Sequence, residues 1–187
     1  QIFTTFNHDL QVAIFSATLP DEIIELTNKF MRNPLKITME AEKLNLEGIQ
    51  QHYIALENDQ QKYETLKDLF GFLNINQTIV YVNSVNRVID LYEAMIKDGN
   101  SVCCIHSSMK SHERQQALND FKKGIYRTLI SSNVTSRGID VQQVSIVINF
   151  DIPRCVHNYL HRIGRSGRWG RKGMAINFIT REDIGTM

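Results

Sequence analysis

The stretch Thr78-Ile79-Val80-Tyr81-Val82-Asn83-Ser84-Val85-Asn86-Arg87-Val88-Ile89-Asp90-Leu91-Tyr92 decides the fold. Ile79-Val80-Tyr81-Val82 is apolar on both sides of an extended chain, which predicts a strand covered by helices on both faces. Asn83-Ser84 breaks the run, and Ser84 is a good cap for a helix that starts there. From Ser84 to Lys97, Val85, Val88, Ile89, Tyr92, Met95 and Ile96 recur at helical spacing. A buried strand that runs through a short polar loop into an amphipathic helix is the repeating unit of a parallel α/β sheet.

The same alternation extends in both directions. Further strands are predicted at Val12–Phe15, Leu35–Met39, Gln51–Leu56, Ser101–Ile105, Arg127–Ser131, Ser145–Phe150 and Ala175–Ile179. Helices are predicted at Pro20–Met31, Gln60–Leu73, Ser111–Lys123 and Arg154–Ile163. The first opens with Pro and two acids, as a helix N-terminus should. Gln60–Leu73 aligns Tyr63, Leu66, Phe70 and Leu73. Ser111–Lys123 aligns Ala117, Leu118 and Phe121, then stops at Gly124. The fold class predicted is α/β, a doubly wound parallel sheet with helices on both faces.

Residues Glu40–Gly48 break the pattern, being polar, charged and closed by Gly. They read as a linker. One strand, one helix and one strand precede it, too little to bury a core. The expected organisation is residues 1–39 as the tail of one α/β domain, 40–48 as linker and 49–187 as most of a second.

Composition bounds the function. The 187 residues are 42% hydrophobic and 22% charged, enough apolar material for a core and too much for a disordered chain. There is no apolar run of bilayer length, so no membrane span is expected. The net charge of +1 hides an asymmetry. Residues 1–48 hold four cations and seven carboxylates; the rest hold 17 and 13. Between Arg154 and Lys172 stand six cations and no acid, a local signature of a polyanion partner. Cys103, Cys104 and Cys155 have no zinc-ligand spacing and are expected to be small buried hydrophobes.

Doubly wound sheets bind ligands at the carboxyl ends of their strands. The residues that follow the predicted strands are Ser16-Ala17-Thr18, Asn83-Ser84, His106-Ser107-Ser108, Ser132-Asn133 and Asp151. Any one of them could be a simple helix or turn cap. Together on one edge they suit phosphates. Ser136-Arg137-Gly138-Ile139-Asp140 adds a Gly that lets a backbone approach closely and an Asp that can accept from sugar hydroxyls, though alone it would read as a turn. The most specific stretch is His161-Arg162-Ile163-Gly164-Arg165-Ser166-Gly167-Arg168. Its Arg residues recur every three positions with Gly between them. Guanidinium forks match phosphate oxygens bidentately and stay charged, and they can stabilise a phosphoryl-transfer transition state. A solvated basic face would need neither the His nor the Gly spacing.

These residues resemble the motifs of the DEAD-box family of ATP-dependent RNA helicases, most nearly its translation initiation factor 4A branch. Ser16-Ala17-Thr18 matches the family's Ser-Ala-Thr motif. Ser136–Asp140 is similar to its Ala-Arg-Gly-Ile-Asp motif, and His161–Arg168 matches its His-Arg-Ile-Gly-Arg-x-Gly-Arg motif throughout. The resemblance covers essentially the whole chain. It implies a RecA-like second helicase domain, preceded by a fragment of the first RecA-like domain.

Roles follow by position. The resemblance makes Arg165 and Arg168 arginine fingers for the ATP γ-phosphate, with His161 linking them to the Ser16-Ala17-Thr18 coupling loop. Gly138 and Asp140 would contact the nucleotide. Asn83, Arg114 and Ser132 would contact the RNA backbone, while Arg137 and Arg162 would hold these loops in place. Three departures fall in the RNA-facing half. Ser111 replaces a Gln, Ser132-Asn133 replaces Thr-Asp, and Val85-Asn86 replaces basic residues.

The resemblance implies an RNA-dependent ATPase that binds single-stranded RNA without sequence preference and unwinds short duplexes. An ATP-locked RNA clamp with little unwinding uses the same motifs, and a regulatory module that has lost catalysis is a third class. ATP is the expected cofactor. No Gly-x-x-x-x-Gly-Lys-Ser/Thr loop or Asp-Glu-Ala-Asp stretch occurs, so the Mg²⁺ ligands are expected in a first domain and the chain alone should be catalytically incomplete. A scaffold protein of the translation machinery, a monomeric state and a cytoplasmic location, with the nucleus as alternative, complete the expectations.

Overall fold

The computed structural model describes residues 10–16, 21–37, 48–72, 77–135, 144–167 and 172–184. The chain divides into two compact units, Gln1–Asn45 and Leu46–Met187.

The first unit contains one described helix, α1 (Asp21–Phe30). The predicted strand Val12–Phe15 is not formed, and Leu35–Ile37 is not a strand either; Thr38 and Met39 lie outside the described residues. The reason is physical. A strand leaves half its backbone groups unpaired unless a neighbour takes them, and this unit offers no described neighbour. Phe15, Leu35 and Ile37 are accordingly exposed, at 95%, 87% and 85%.

The second unit is a sheet of six strands in the order β1-β6-β5-β2-β4-β3, every pair parallel. The strands are β1 (Ile49–Leu56), β2 (Thr78–Tyr81), β3 (Val102–Ile105), β4 (Thr128–Ser131), β5 (Ile146–Asn149) and β6 (Gly173–Thr180). The helices are α2 (Asp59–Phe72), α3 (Val85–Lys97), α4 (Ser111–Lys122), α5 (Val156–Ile163) and the single turn α6 (Arg181–Ile184). The predicted elements of this unit are present with ends shifted by a residue or two. Among the described residues, α6 and a 3-10 turn at Asn133–Thr135 were not anticipated.

Strand alternation builds two cores. Val80 and Val82 point to one face, where Leu66 of α2 and Val88, Leu91 and Met95 of α3 cover them. Ile79 and Tyr81 point to the other, under Phe121 of α4 and Ile163 of α5. All four residues, three in β2 and Val82 just past it, are fully buried, as the apolar run implied. Ser84 caps α3 by accepting the Arg87 N–H at 3.3 Å. The buried stripe of α3 is Val88, Leu91 and Met95, whereas the predicted Ile89 and Ile96 remain 36% and 47% exposed. The helix is apolar around more than one stripe, and the crossing over the sheet selects which stripe is covered. The cysteines also divide: Cys103 is buried, Cys104 half-buried and Cys155 exposed.

Strands β2 and β5 are neighbours, yet the helices that follow them, α3 and α5, pack on opposite faces. Open α/β sheets take their ligands in the crevice at such a switch point, beyond the carboxyl ends of the strands; here the loops after β2 and β5 are bridged at its floor by Asn83 bonds to Asp151 and Ile152.

Candidate functional site

Arg162 is the centre of that edge. It lies in the last turn of α5 and is fully buried. Its Nε donates to Asn133 Oδ1 at 2.9 Å. One terminal nitrogen donates to the Asp151 carbonyl at 2.7 Å and to Asn149 Oδ1 at 3.3 Å. The other donates to Asn83 Oδ1 and Asn133 Oδ1, each at 2.7 Å. The guanidinium also sits 5.2 Å from the centroid of the Tyr81 ring, a cation–π contact. One side chain thus joins the loops after β2, β4 and β5. Every acceptor is a neutral amide or carbonyl oxygen, and burial depresses the pKa to about 10, so Arg162 keeps its charge at neutral pH.

Asp151, in the loop after β5, is the second tie. Arg87 of α3 grips its carboxylate with two hydrogen bonds of 2.7 Å. The carboxylate accepts the Asn83 N–H at 3.0 Å, and the Asn83 side chain donates back to the Ile152 carbonyl at 2.7 Å. Beneath it lies Lys62, only 3% exposed, with Asp59, Asp151 and Asp183 at 3.4, 3.5 and 3.4 Å. Burial opposes the charge on Arg87, but the Asp151 and Asp59 carboxylates outweigh it and raise its pKa. Burial likewise pushes Asp59 and Asp183 up. Arg87 and Lys62 reverse this for Asp59, and the Thr180 N–H and hydroxyl with Lys62 reverse it for Asp183, so both end below the usual carboxylate range. The network locks the Asn83 loop from below.

Arg165 leaves α5 one residue past its Gly164 cap. Its Nε donates to the His161 carbonyl at 3.1 Å, which clips the base of the side chain to the last helical turn. Ser166 closes the turn with its hydroxyl on the Ile163 carbonyl at 2.9 Å. Gly167 then adopts φ +68°, and a Cβ there would lie 3.1 Å from Gly173 N, Gly48 O and Ile49. Gly173 N donates to Gly48 O at 2.7 Å. The Arg165 loop therefore rests on the start of β6 and on the turn that leads into β1.

The anticipated site residues divide as follows. Asn83 is at the crevice, joined to Arg162 and Asp151. Ser132 is 8% exposed just past β4, with its carbonyl accepting the Thr135 N–H at 3.4 Å. His161, Arg162 and Arg165 share the end of α5. Arg114 is half-buried in the first turns of α4, on the β3–β4 side of the edge. Ser16 is exposed in the first unit. Ala17, Thr18, Arg137, Gly138, Asp140 and Arg168 lie outside the described residues, as does the 40–47 part of the anticipated linker. Sequence reading missed Lys62, Arg87, Asn149 and Asn177. Lys62 and Asp183 are 121 residues apart, and nothing local marks them as partners.

The side chains gathered at this edge are guanidinium and amide groups, whose chemistry suits phosphate rather than a cation; Arg162 and Asn83 spend their own donors on tying the loops together. Among the described residues no group of three His, Cys, Asp or Glu side chains could hold a metal ion, and no helix is long and apolar enough to cross a membrane.

Comparison with known proteins agrees with this geometry. The profile of the helicase conserved C-terminal domain matches residues 61–170. Eukaryotic initiation factor 4A of Caenorhabditis elegans is 45% identical over 183 residues, 98% of this chain and 46% of that protein. The ATP-dependent RNA helicase FAL1 of Kluyveromyces lactis is 47% identical over 182 residues, 97% of this chain and 46% of that protein. The chain thus spans under half the length of these relatives. Among solved structures, Saccharomyces cerevisiae Dbp5 bound to RNA and ADP BeF3 matches with a TM-score of 0.89 at 32% identity, covering 96% of this chain and 47% of that one. The C-terminal domain of the DEAD-box protein Dbp5 matches with a TM-score of 0.68 at 35% identity, over 74% of this chain and 81% of that one. With the motif spacing, the parallel RecA-like sheet and these likenesses in agreement, the chain belongs to the DEAD-box family of ATP-dependent RNA helicases and carries that family's helicase C-terminal domain.

Proposed function

We propose that this chain supplies the second half of an RNA-dependent ATPase that binds single-stranded RNA by its backbone and couples ATP hydrolysis to local duplex opening, in the manner of an initiation factor. The observation that carries the reading is the Arg162 hub. It joins the Asn83 loop and the Ser132-Asn133 turn, two RNA-facing positions, to the helix that delivers Arg165. RNA contact and phosphate contact are then mechanically one unit. Asn83, Ser132 and Arg114 would track RNA phosphates, where sequence readout is minimal. Gly138 and Asp140 would meet the nucleotide. Arg165 and Arg168 would stabilise the charge that develops on the transferred phosphoryl group, with His161 linking them to Ser16-Ala17-Thr18.

The donor set described above fits phosphate and not Mg²⁺. We therefore assign residues 1–39 to the end of a first RecA-like domain, and the Mg²⁺ and phosphate-loop ligands to the rest of that domain in the full-length protein. Mg²⁺ would there neutralise charge on the β- and γ-phosphates.

The test is ATP hydrolysis by the full-length protein with and without single-stranded RNA. Strong RNA stimulation is expected, with a loss in Arg165→Ala of about a thousandfold or more in kcat, as for other arginine fingers. Absence of stimulation in the intact protein would refute the reading.

A further inference from the structure

A chain of hydrogen bonds, buried at Arg162, Asn149 and Asn177 and reaching the surface at Gln51, runs from Arg162 across the sheet, beneath α5, to the edge strand β1. Arg162 donates to Asn149 Oδ1 at 3.3 Å. Asn149 Nδ2 donates to Asn177 Oδ1 at 2.8 Å. Asn177 Nδ2 donates to the Tyr159 hydroxyl oxygen at 3.1 Å and to the His52 carbonyl at 2.9 Å. The Tyr159 hydroxyl donates to Gln51 Oε1 at 2.7 Å. Asn149 and Asn177 are direct cross-strand neighbours in the β5–β6 ladder. They are 0% and 7% exposed, and they continue a register row that runs through Tyr81, Ser131 and Ile105.

The direction of the relay is fixed at its source. A guanidinium can only donate, so Asn149 must turn its oxygen to Arg162 and its NH₂ to Asn177. Asn177 must then accept with its oxygen and donate onward. The Tyr159 oxygen is thereby taken as an acceptor, and its proton goes to Gln51. Asn149 and Asn177 are a buried polar pair, which is costly unless fully satisfied. A pair of leucines would pack the same space without that risk. What the relay adds is orientation. Two of its members, Tyr159 and Arg162, are on α5, three residues apart on one face. The relay therefore holds α5 against sliding along the sheet and against rotation about its axis, which a purely apolar contact holds weakly. Arg165 is the next residue at that spacing, clipped to the His161 carbonyl of the same helix.

We propose that Asn149, Asn177 and Tyr159 are positioning residues for Arg165, a relay that fixes the height and rotation of α5 so that the guanidinium meets the transferred phosphoryl group. The proposal rests on the finger role given to Arg165 above. A finger acts by placement in the transition state, and a misplacement of about 1 Å can cost about a hundredfold in rate.

The experiment compares Asn177→Leu, Tyr159→Phe and Arg165→Ala in the full-length protein. It uses two readouts: hydrogen exchange over residues 156–166, and RNA-stimulated ATP hydrolysis. Asn177→Leu breaks the middle of the relay; Tyr159→Phe removes only its last links and keeps the ring in the core. Both should speed exchange in α5. Both should lower kcat, by about tenfold and about threefold, with KM for ATP and half-saturating RNA held within about twofold. That split separates positioning from general loss of fold, which would lower the amount of active protein and weaken RNA binding as well. Unchanged exchange in α5 would overturn the proposal, as would faster exchange with kcat intact while Arg165→Ala is inactive. Full activity of Arg165→Ala would instead overturn the finger assignment, and the proposal with it.

Discussion

A buried guanidinium normally faces a carboxylate, and Arg162 does not. Asn83, Asn133 and Asn149 supply the oxygens, and Tyr81 covers one face of the plane. The geometry depends on a planar fork. A lysine has three donors against the five of a guanidinium, and they point tetrahedrally from a single nitrogen and cannot reach three loops at once. Arg162→Lys should therefore cost about 3 kcal/mol or more, from unpaired acceptors and a charge left half-solvated. Urea denaturation of the chain measures it, and a loss under about 1 kcal/mol, within the range of an ordinary surface substitution, would refute the hub. The loop-holding role of Arg162 was legible because the motif around it resembles a known one. Its partners were not. Asn149 ends an Ile146-Val147-Ile148 run and Asn177 interrupts another apolar strand. A single amide in a strand carries no periodic signal of which neighbour it will meet.

At the scale of elements, the strand–loop–helix units of residues 49–184 could be read directly, because each buries its own faces against the next. The same reading placed strands at Val12–Phe15 and Leu35–Met39, where pattern alone could not supply a pairing neighbour. Glycine separates positions where conformation matters from those where contact also matters. Gly124, past α4, has φ +76° and nothing within 4 Å of a would-be Cβ. Gly124→Ala should cost only the left-handed strain, about 1 kcal/mol. Gly167 has the same strain, and its Cβ would meet backbone atoms of Gly173 and Gly48 at 3.1 Å, atoms that cannot rotate away. Gly167→Ala should cost at least about 2 kcal/mol more than Gly124→Ala, because the start of β6 or the turn before β1 must move. Thermal unfolding of the two variants side by side gives the difference. Equal losses would mean that the Arg165 loop is not seated on those strands.

At the scale of the whole domain, the elements over the first core are fastened at one end by charge. Lys62 comes from α2, Arg87 from α3, Asp151 from the loop after β5 and Asp183 from α6, so one cluster fastens four elements beside the crevice. Asp59 and Asp183 titrate below the ordinary range in the folded chain. A carboxylate whose folded pKa lies below its unfolded value stabilises the fold above the unfolded value, about 4. It loses that contribution as pH falls through the folded value. Lys62 is a cause of both shifts, so Lys62→Met should bring both carboxylates back toward ordinary values. At pH 7 the variant should be less stable by about 1–3 kcal/mol, since Asp183 loses its cation and Asp151 keeps only Arg87. The gap should narrow as pH falls below about 4, because the wild type then loses what the variant already lacks. Thermal midpoints of the two proteins from pH 7 to pH 2.5 test this. A gap that stays constant over that range would assign the Lys62 contribution to its ammonium over the Phe150 ring, with Nζ 6.0 Å from the centroid. The pairing of Lys62 with the carboxylates would then be no fastener of the crevice, and the Asn83 loop would owe its position to its bonds with Arg162, Asp151 and Ile152.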